Sequence, residues 1–159
     1  KGVLLEITDG DNYGYRGSFY YDLVKTSVIR LAFSFAKEFH PHHIAALALT
    51  PGFLRSEAML DHFGVTEANW RDAATEHPDF SESETPFYAG RVAAALAADP
   101  DIMKRTGRVF ATWDLAPEYG IKDIDGRQPN FRRWVAENMP EDEWIACDEG
   151  FYRYWGLPE

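Results

Sequence analysis

The sequence predicts an α/β fold: three parallel strands flanked by helices, followed by an irregular, aromatic-rich C-terminal extension. Two observations support this prediction. Short apolar runs alternate with helical patterns over the first 112 residues, and a long amphipathic pattern separates the first two runs. Strands joined by a helix of that length pair in parallel. From residue 114 onward the chain is rich in aromatic residues and shows no repeat.

The first strand and helix are predicted from the N-terminal 39 residues. Residues 3–8 are apolar and end at Asp9-Gly10, which is typical of a buried strand closed by a turn. After a glycine-containing loop, Ser18 is placed to cap a helix reaching about Phe39. One face of this helix is apolar and is expected to pack on the core. Its residues are Val24, Val28, Leu31 and Phe35, with Ala32 and Phe39 beside them.

The remaining elements follow from proline and glycine punctuation. Residues 44–50 form a second apolar run that ends at Pro51-Gly52, so a second strand is predicted there. Residues 53–83 read as a long excursion with one or two short helices. Thr85 and Pro86 predict the start of a helix running to about Ala98. Residues 107–113 predict the third strand.

Composition excludes several classes of function. The chain has 26 acidic residues against 16 Lys plus Arg, and its net charge of −10 repels nucleic-acid phosphates and anionic membrane surfaces. No apolar run approaches the ~20 residues of a membrane span. The single cysteine, Cys147, cannot form an internal disulfide or a multi-thiolate zinc site. We therefore expect a cytoplasmic protein without nucleic-acid or membrane partners.

Tyr21 and Lys25 form the main candidate for chemistry. They lie four residues apart on the predicted helix, so their side chains share one face. A nearby ammonium favours the phenolate, which would lower the pKa of a tyrosine from about 10 and suit it to acid-base catalysis. The spacing alone also arises by chance, and as a structural alternative the pair is an ordinary solvated pair on a helix.

The surroundings of this pair favour the catalytic interpretation. Thr8 ends the first strand thirteen residues before Tyr21, and Pro51-Gly52 ends the second strand five residues before Ser56. All lie at the strand ends where open parallel sheets bind ligands. With these landmarks, residues 1–112 resemble the C-terminal half of the short-chain dehydrogenase/reductase family. The resemblance implies the C-terminal half of a Rossmann-like, doubly wound parallel sheet, with residues 113–159 as an extension packed on the same domain.

The resemblance also implies catalytic roles. Tyr21 would exchange a proton with the substrate's carbonyl or hydroxyl oxygen. Lys25 would lower the pKa of Tyr21 and hold the nicotinamide ribose. Thr8 stands where the family usually has serine, and its hydroxyl would bind the substrate oxygen.

The remaining implied roles concern the cofactor, NAD or NADP. Pro51 and Gly52 would shape the backbone beside the nicotinamide, and Ser56 would hold its carboxamide. The family's glycine-rich phosphate loop belongs to an N-terminal half that this sequence does not contain. We therefore expect a fragment of an oxidoreductase that acts on a small carbonyl or alcohol and forms homo-oligomers. The alternative is a non-catalytic remnant that serves as an interaction or oligomerisation module.

Other chemistry-bearing residues favour structural interpretations, and no metal site is predicted. Asp9 and Asp11 start like a calcium loop, but a tyrosine stands where its final glutamate belongs. His40, His42 and His43 surround Pro41 at a predicted helix C-terminus, where histidine side chains are common because the helix dipole favours them. Cys147 has no evident histidine partner for nucleophilic catalysis.

Overall fold

The structure, a computed structural model, describes residues 2–12 and 15–139. These residues form two compact units. The first contains residues 2–12, 15–50 and 93–111, and the second contains residues 51–92 and 112–139. Cys147 and the tail aromatics beyond residue 140 lie outside the described residues. The predicted domain boundary at residue 112 stays a prediction.

The first unit is built on a parallel sheet of three strands. The strands are β1 (Gly2–Ile7), β2 (Ile44–Thr50) and β3 (Val109–Ala111), in the order β1-β2-β3. Leu4 pairs with Ala46 and Ala48 with Val109, both in parallel register. The middle strand is buried from residue 45 to residue 50, whereas β1 at the edge is only partly covered. The predicted α/β class with three parallel strands is confirmed.

Helix α1 (Phe19–Phe39) links β1 to β2 and packs on the middle strand. The predicted apolar face is only partly correct: Ala32 is buried, but Val28, Phe35 and Phe39 are only half-buried. The residues that are buried are Ile29, Ala32, Phe33 and Ala36, whereas Val24 is 58% and Leu31 43% exposed. The helix carries two apolar stripes, and small alanines let its backbone approach the sheet along the buried one. Ser18 takes the cap position, but its side chain makes no capping hydrogen bond.

A short 3₁₀ helix, His40–His42, follows α1, and His43 then adopts the left-handed conformation with φ of 54°. This is the only non-glycine residue with positive φ among residues 2–12 and 15–139. The conformation reverses the chain direction immediately before β2. The three histidines therefore serve a chain reversal, in agreement with their structural interpretation.

The second unit is made of short helices, as predicted for the excursion after β2. Helix α2 (Glu57–His62) is followed by two 3₁₀ helices, Trp70–Thr75 and Pro78–Glu82. The hydrophobic core of this unit contains Trp70, Ala73 and Phe80, and Phe53 and Phe63 pack against them. The later helices α4 (Thr112–Glu118) and α5 (Phe131–Asn138) complete the unit.

Helix α3 (Pro86–Ala98) has the predicted bounds, and the Thr85 hydroxyl accepts a hydrogen bond from the Tyr88 amide at 3.3 Å as its cap. A 3₁₀ helix, Ile102–Arg105, leads to β3. The third strand is shorter than predicted, because Thr112 and Trp113 begin α4. Both residues are β-formers by propensity, but burial in the second unit decides their conformation.

Candidate functional site

The end of β1 is tied to both neighbouring elements through Thr8. The Thr8 amide donates to the Leu49 carbonyl of β2 at 3.0 Å, and its hydroxyl donates to the backbone carbonyl of Lys25 at 2.8 Å. Thr8 is buried. Its hydroxyl, which is predicted to bind a substrate oxygen, fixes helix α1 against the strand end through this hydrogen bond.

Tyr21 and Lys25 lie one turn apart in α1, as their spacing predicts. The Lys25 ammonium nitrogen sits 5.5 Å from the centroid of the Tyr21 ring, within cation–π range. The Tyr21 side chain is 46% exposed, so its phenol is open to a ligand. The structure thus brings Thr8, Tyr21 and Lys25 together at one end of the sheet.

Asp9 is the residue that contacts the Tyr21 oxygen. The phenol donates a hydrogen bond of 2.6 Å to Oδ2 of Asp9. Partial burial, this hydrogen bond and the negative charge of Asp9 raise the pKa of Tyr21 to about 12, and the positive charge of Arg16 opposes them. The expectation that the pKa of Tyr21 is lowered is therefore wrong for this arrangement, because burial and the Asp9 carboxylate both favour the protonated phenol.

Arg16 holds the loop that carries Asp9. Its Nε donates to the Asp9 carbonyl and its Nη2 to the Asn12 carbonyl at 2.5 Å. Its Nη1 donates to the Thr26 hydroxyl at 3.2 Å and lies 3.5 Å from the Asp22 carboxylate. The sequence places Asp9 and Arg16 in the loop at the rim of the predicted active site, but it predicts no individual role for either residue. The only signal was the position of Asp9, next to the hydroxyl residue that ends the strand.

The predicted cofactor residues Pro51, Gly52 and Ser56 follow β2 and lie in the second unit. The Gly52 amide donates to Oε2 of Glu84 at 3.0 Å. The Ser56 hydroxyl accepts from the Met59 amide at 3.3 Å, which makes Ser56 the N-cap of α2. As an oxygen acceptor in this bond, the Ser56 hydroxyl keeps its own proton for donation to a ligand.

Glu84 is a second functional candidate that sequence reasoning missed. It is 1% exposed, and the same Oε2 that binds Gly52 accepts a hydrogen bond of 2.6 Å from the Thr112 hydroxyl. Burial raises the pKa of Glu84 to about 7; the donors Thr112 and Gly52 and the positive charge of Arg55 oppose this effect. A carboxylate buried beside a predicted cofactor turn is an unusual group that calls for a function.

Residues 2–12 and 15–139 contain neither a metal-ligand cluster nor a membrane-spanning helix. No three His, Cys, Asp or Glu side chains in that part of the chain are grouped to hold a metal ion. Among the same residues, no helix combines the length and apolarity needed to cross a membrane.

The chain is similar to two curated proteins, both named dehydrogenase/reductase SDR family member 1. It is 34% identical to the Mus musculus protein over 129 residues, which make up 80% of this chain and 41% of that relative. Its identity to the Homo sapiens protein is 30% over 128 residues, with the same coverage. The chain thus spans 41% of the length of these relatives. No protein-family model matches it.

A solved structure shares the fold. It is the crystal structure of a protein from Beutenbergia cavernae, described as an NAD(P)-dependent gluconate 5-dehydrogenase with bound NADP at low occupancy. The match has a TM-score of 0.52 and 18% identity, and covers 70% of this chain and 44% of that one. The parallel sheet and this match show a Rossmann-like α/β fold. Over 80% of its length the chain is similar to two proteins named as short-chain dehydrogenase/reductase (SDR) family members, which agrees with the resemblance that its motifs predict.

Proposed function

We propose that this chain is the C-terminal part of an NAD(P)-dependent oxidoreductase that interconverts a small carbonyl compound and an alcohol. The observation that carries the proposal is the half-exposed Tyr21 phenol, one helical turn from the Lys25 ammonium at the end of a parallel strand. Both curated relatives are named as dehydrogenase/reductase family members, and the solved structure of similar fold holds NADP, which supports a nicotinamide cofactor.

We assign the nicotinamide of the cofactor to the turn after β2. A Cβ at Gly52 would lie 3.0 Å from Oε2 of Glu84 and 3.3 Å from Cβ of Phe131, so glycine lets the backbone of this turn pack closely against both residues. Pro51, Gly52 and Ser56 would hold the nicotinamide and Lys25 its ribose. When bound, the cofactor would supply or accept a hydride.

Tyr21 is the proposed proton donor in the reduction direction. Its raised pKa keeps the phenol protonated at neutral pH, so the proton is available for transfer to the substrate's oxygen. The substrate oxygen would replace Oδ2 of Asp9 as the acceptor of this hydrogen bond. For Thr8 to polarise the same oxygen, its hydroxyl must rotate away from the Lys25 carbonyl.

Replacing Tyr21 tests the proposal in the intact protein. Tyr21→Phe removes the proton donor and keeps the ring, so NAD(P)H-dependent carbonyl reduction should fall by about 10²–10⁴-fold in kcat. Tyr20→Phe is the matched control, because the neighbouring Tyr20 is 78% exposed and has no proposed role in proton transfer. A loss below about tenfold for Tyr21→Phe, or an equal loss for Tyr20→Phe, would contradict the assignment.

A second candidate function is association, alone or together with catalysis. Helix α1 leaves large apolar side chains exposed within the described part of its unit: Phe19, Tyr20, Leu23, Val24 and Leu31. Apolar surface of this kind marks an interaction site. We propose homo-oligomerisation as its use. A catalytically silent intact protein that still oligomerises would favour the interaction module over the enzyme.

A further inference from the structure

Glu84 contacts the segment after β2 with both its backbone and its side chain. Its amide donates to the Phe53 carbonyl at 2.9 Å, and its carbonyl accepts from the Arg55 amide at 2.7 Å. These two bonds make a short parallel bridge between Leu54 and Glu84. The side chain then reaches back to the Gly52 amide at 3.0 Å. Glu84 therefore makes hydrogen bonds to three residues of the segment that follows Pro51: Gly52, Phe53 and Arg55.

The side chain of Glu84 is confined from several directions. Oε2 accepts from both Gly52 and the Thr112 hydroxyl, and the whole residue is 1% exposed. The other oxygen, Oε1, is buried and has no hydrogen-bond partner among the described residues. Burying a carboxylate is costly unless its hydrogen bonds serve it well. The fold therefore keeps a carboxylate buried, at a cost in free energy, in contact with the Gly52 amide.

Neighbouring side chains enclose the contact between Glu84 and Gly52. Trp113 Cε3 and Phe131 Cβ would lie 3.5 Å and 3.3 Å from a Cβ added at Gly52. Next to the turn, the buried guanidinium of Arg55 donates to the Ser83 carbonyl at 2.9 Å and binds Glu67 with two nitrogens. Residues 52–55 are thus surrounded by packed and hydrogen-bonded side chains. Among these, Glu84 accepts the hydrogen bond of the first amide, that of Gly52.

We propose that Glu84 is a positioning residue of the cofactor site: its carboxylate fixes the Gly52 backbone in the conformation that receives the nicotinamide. This inference rests on the proposed function for its cofactor, but the hydrogen bond between Glu84 and Gly52 can be measured without an activity assay. An amide that donates to a charged acceptor is protected from hydrogen exchange and keeps one orientation. Without that acceptor, the turn can sample other conformations. Loss of the carboxylate should therefore weaken cofactor binding before it affects proton transfer.

The first experiment measures hydrogen exchange of the amides in residues 51–55 of the intact protein at pH 8. Glu84→Ala should speed exchange at Gly52 by about tenfold or more, as expected for loss of a hydrogen bond to a charged group. Glu84→Gln keeps an acceptor oxygen and should exchange more slowly than Glu84→Ala. The control Glu76→Ala removes an exposed carboxylate of the same unit and should change nothing.

Glu84→Asp covers the case in which Glu84→Ala does not fold. It keeps the buried charge but withdraws it by one methylene group, so it should also release Gly52. Unchanged exchange at Gly52 in a folded Glu84→Ala or Glu84→Asp protein overturns the inference, whatever the activity.

The second experiment separates cofactor binding from chemistry. For Glu84→Ala, or for Glu84→Asp if Glu84→Ala does not fold, KM for NAD(P)H should rise about tenfold while kcat and KM for the carbonyl change less than about threefold. A fall confined to kcat, with KM for the cofactor unchanged, would overturn the positioning role. Absence of any NAD(P)H-dependent reduction in the wild-type protein would instead refute the proposed function, and the exchange experiment would still decide whether Glu84 holds Gly52.

Discussion

The hydrogen bond between Tyr21 and Asp9 helps to raise the pKa of the proposed catalytic phenol. A tyrosine beside a lysine alone would titrate below its ordinary value. Here the 2.6 Å bond to Asp9 and its negative charge add to partial burial, and the pKa of Tyr21 rises to about 12. A phenol in this state is protonated at neutral pH, as the proposed role of proton donor in the reduction direction requires.

Asp9→Asn tests this effect on Tyr21. The amide keeps an acceptor oxygen but removes the negative charge, so the pKa of Tyr21 should fall from about 12 toward 10. The measurement is the ultraviolet titration of tyrosinate, taken as the difference between the protein and its Tyr21→Phe variant. Asp61→Asn, an exposed substitution in α2, serves as the control and should leave the titration in place. An unchanged or higher pKa in Asp9→Asn would show that Asp9 does not govern Tyr21.

Single residues of the site differ in how far sequence predicts them. Tyr21 and Lys25 are predictable because four-residue spacing in a helix fixes their mutual position. The roles of Asp9 and Glu84 are not predictable in this way. Asp9 contacts Tyr21, which is 12 positions away in the sequence, and Glu84 contacts Gly52, which is 32 positions away. Local spacing carries no information about such contacts until the chain has folded.

At the scale of elements, helix α1 shows the limit of periodicity. Its apolar residues form two stripes, and both satisfy a 3.6-residue period. The sheet accepts the stripe that contains Ala32 and Ala36, because these small side chains allow close approach to β2. Sequence alone predicts the bounds of the helix well but cannot choose between its two faces.

Paired substitutions in α1 test the observed face. Ile29 is 3% exposed, so Ile29→Ala should lower the free energy of unfolding by about 2–4 kcal/mol. Val24→Ala, on the exposed stripe, should change it by less than about 0.5 kcal/mol. Urea unfolding followed by far-ultraviolet circular dichroism measures both. An equal or larger effect from Val24→Ala would reverse the assignment of the faces.

At the scale of the whole molecule, two properties oppose each other. The net charge of −10 keeps copies of the chain apart at low salt. The exposed apolar residues of α1, together with Ile7 at 54% exposure on the edge strand β1, favour association. Salt screens the repulsion and leaves the apolar attraction in place.

Sedimentation velocity of the 159-residue chain tests this balance. The average mass should rise with protein concentration and should rise further when salt is added. Leu31→Glu places a charge in the exposed stripe and should reduce association, whereas Ala58→Glu, exposed in α2, should not. A monomer at every concentration and salt level would remove the proposed homo-oligomer.

The sequence by itself determined the α/β class, the bounds of β2 and α3, and the pairing of Tyr21 with Lys25. Each depends on local information: an apolar run closed by Pro-Gly, a threonine cap before a proline, or a four-residue spacing. Only the tertiary structure decided which face of α1 is buried, that Thr112 begins a helix, and that Asp9 and Glu84 contact the proposed site. These features arise from burial and hydrogen bonds between distant residues, whose free energies exceed local propensity and exist only in the folded chain.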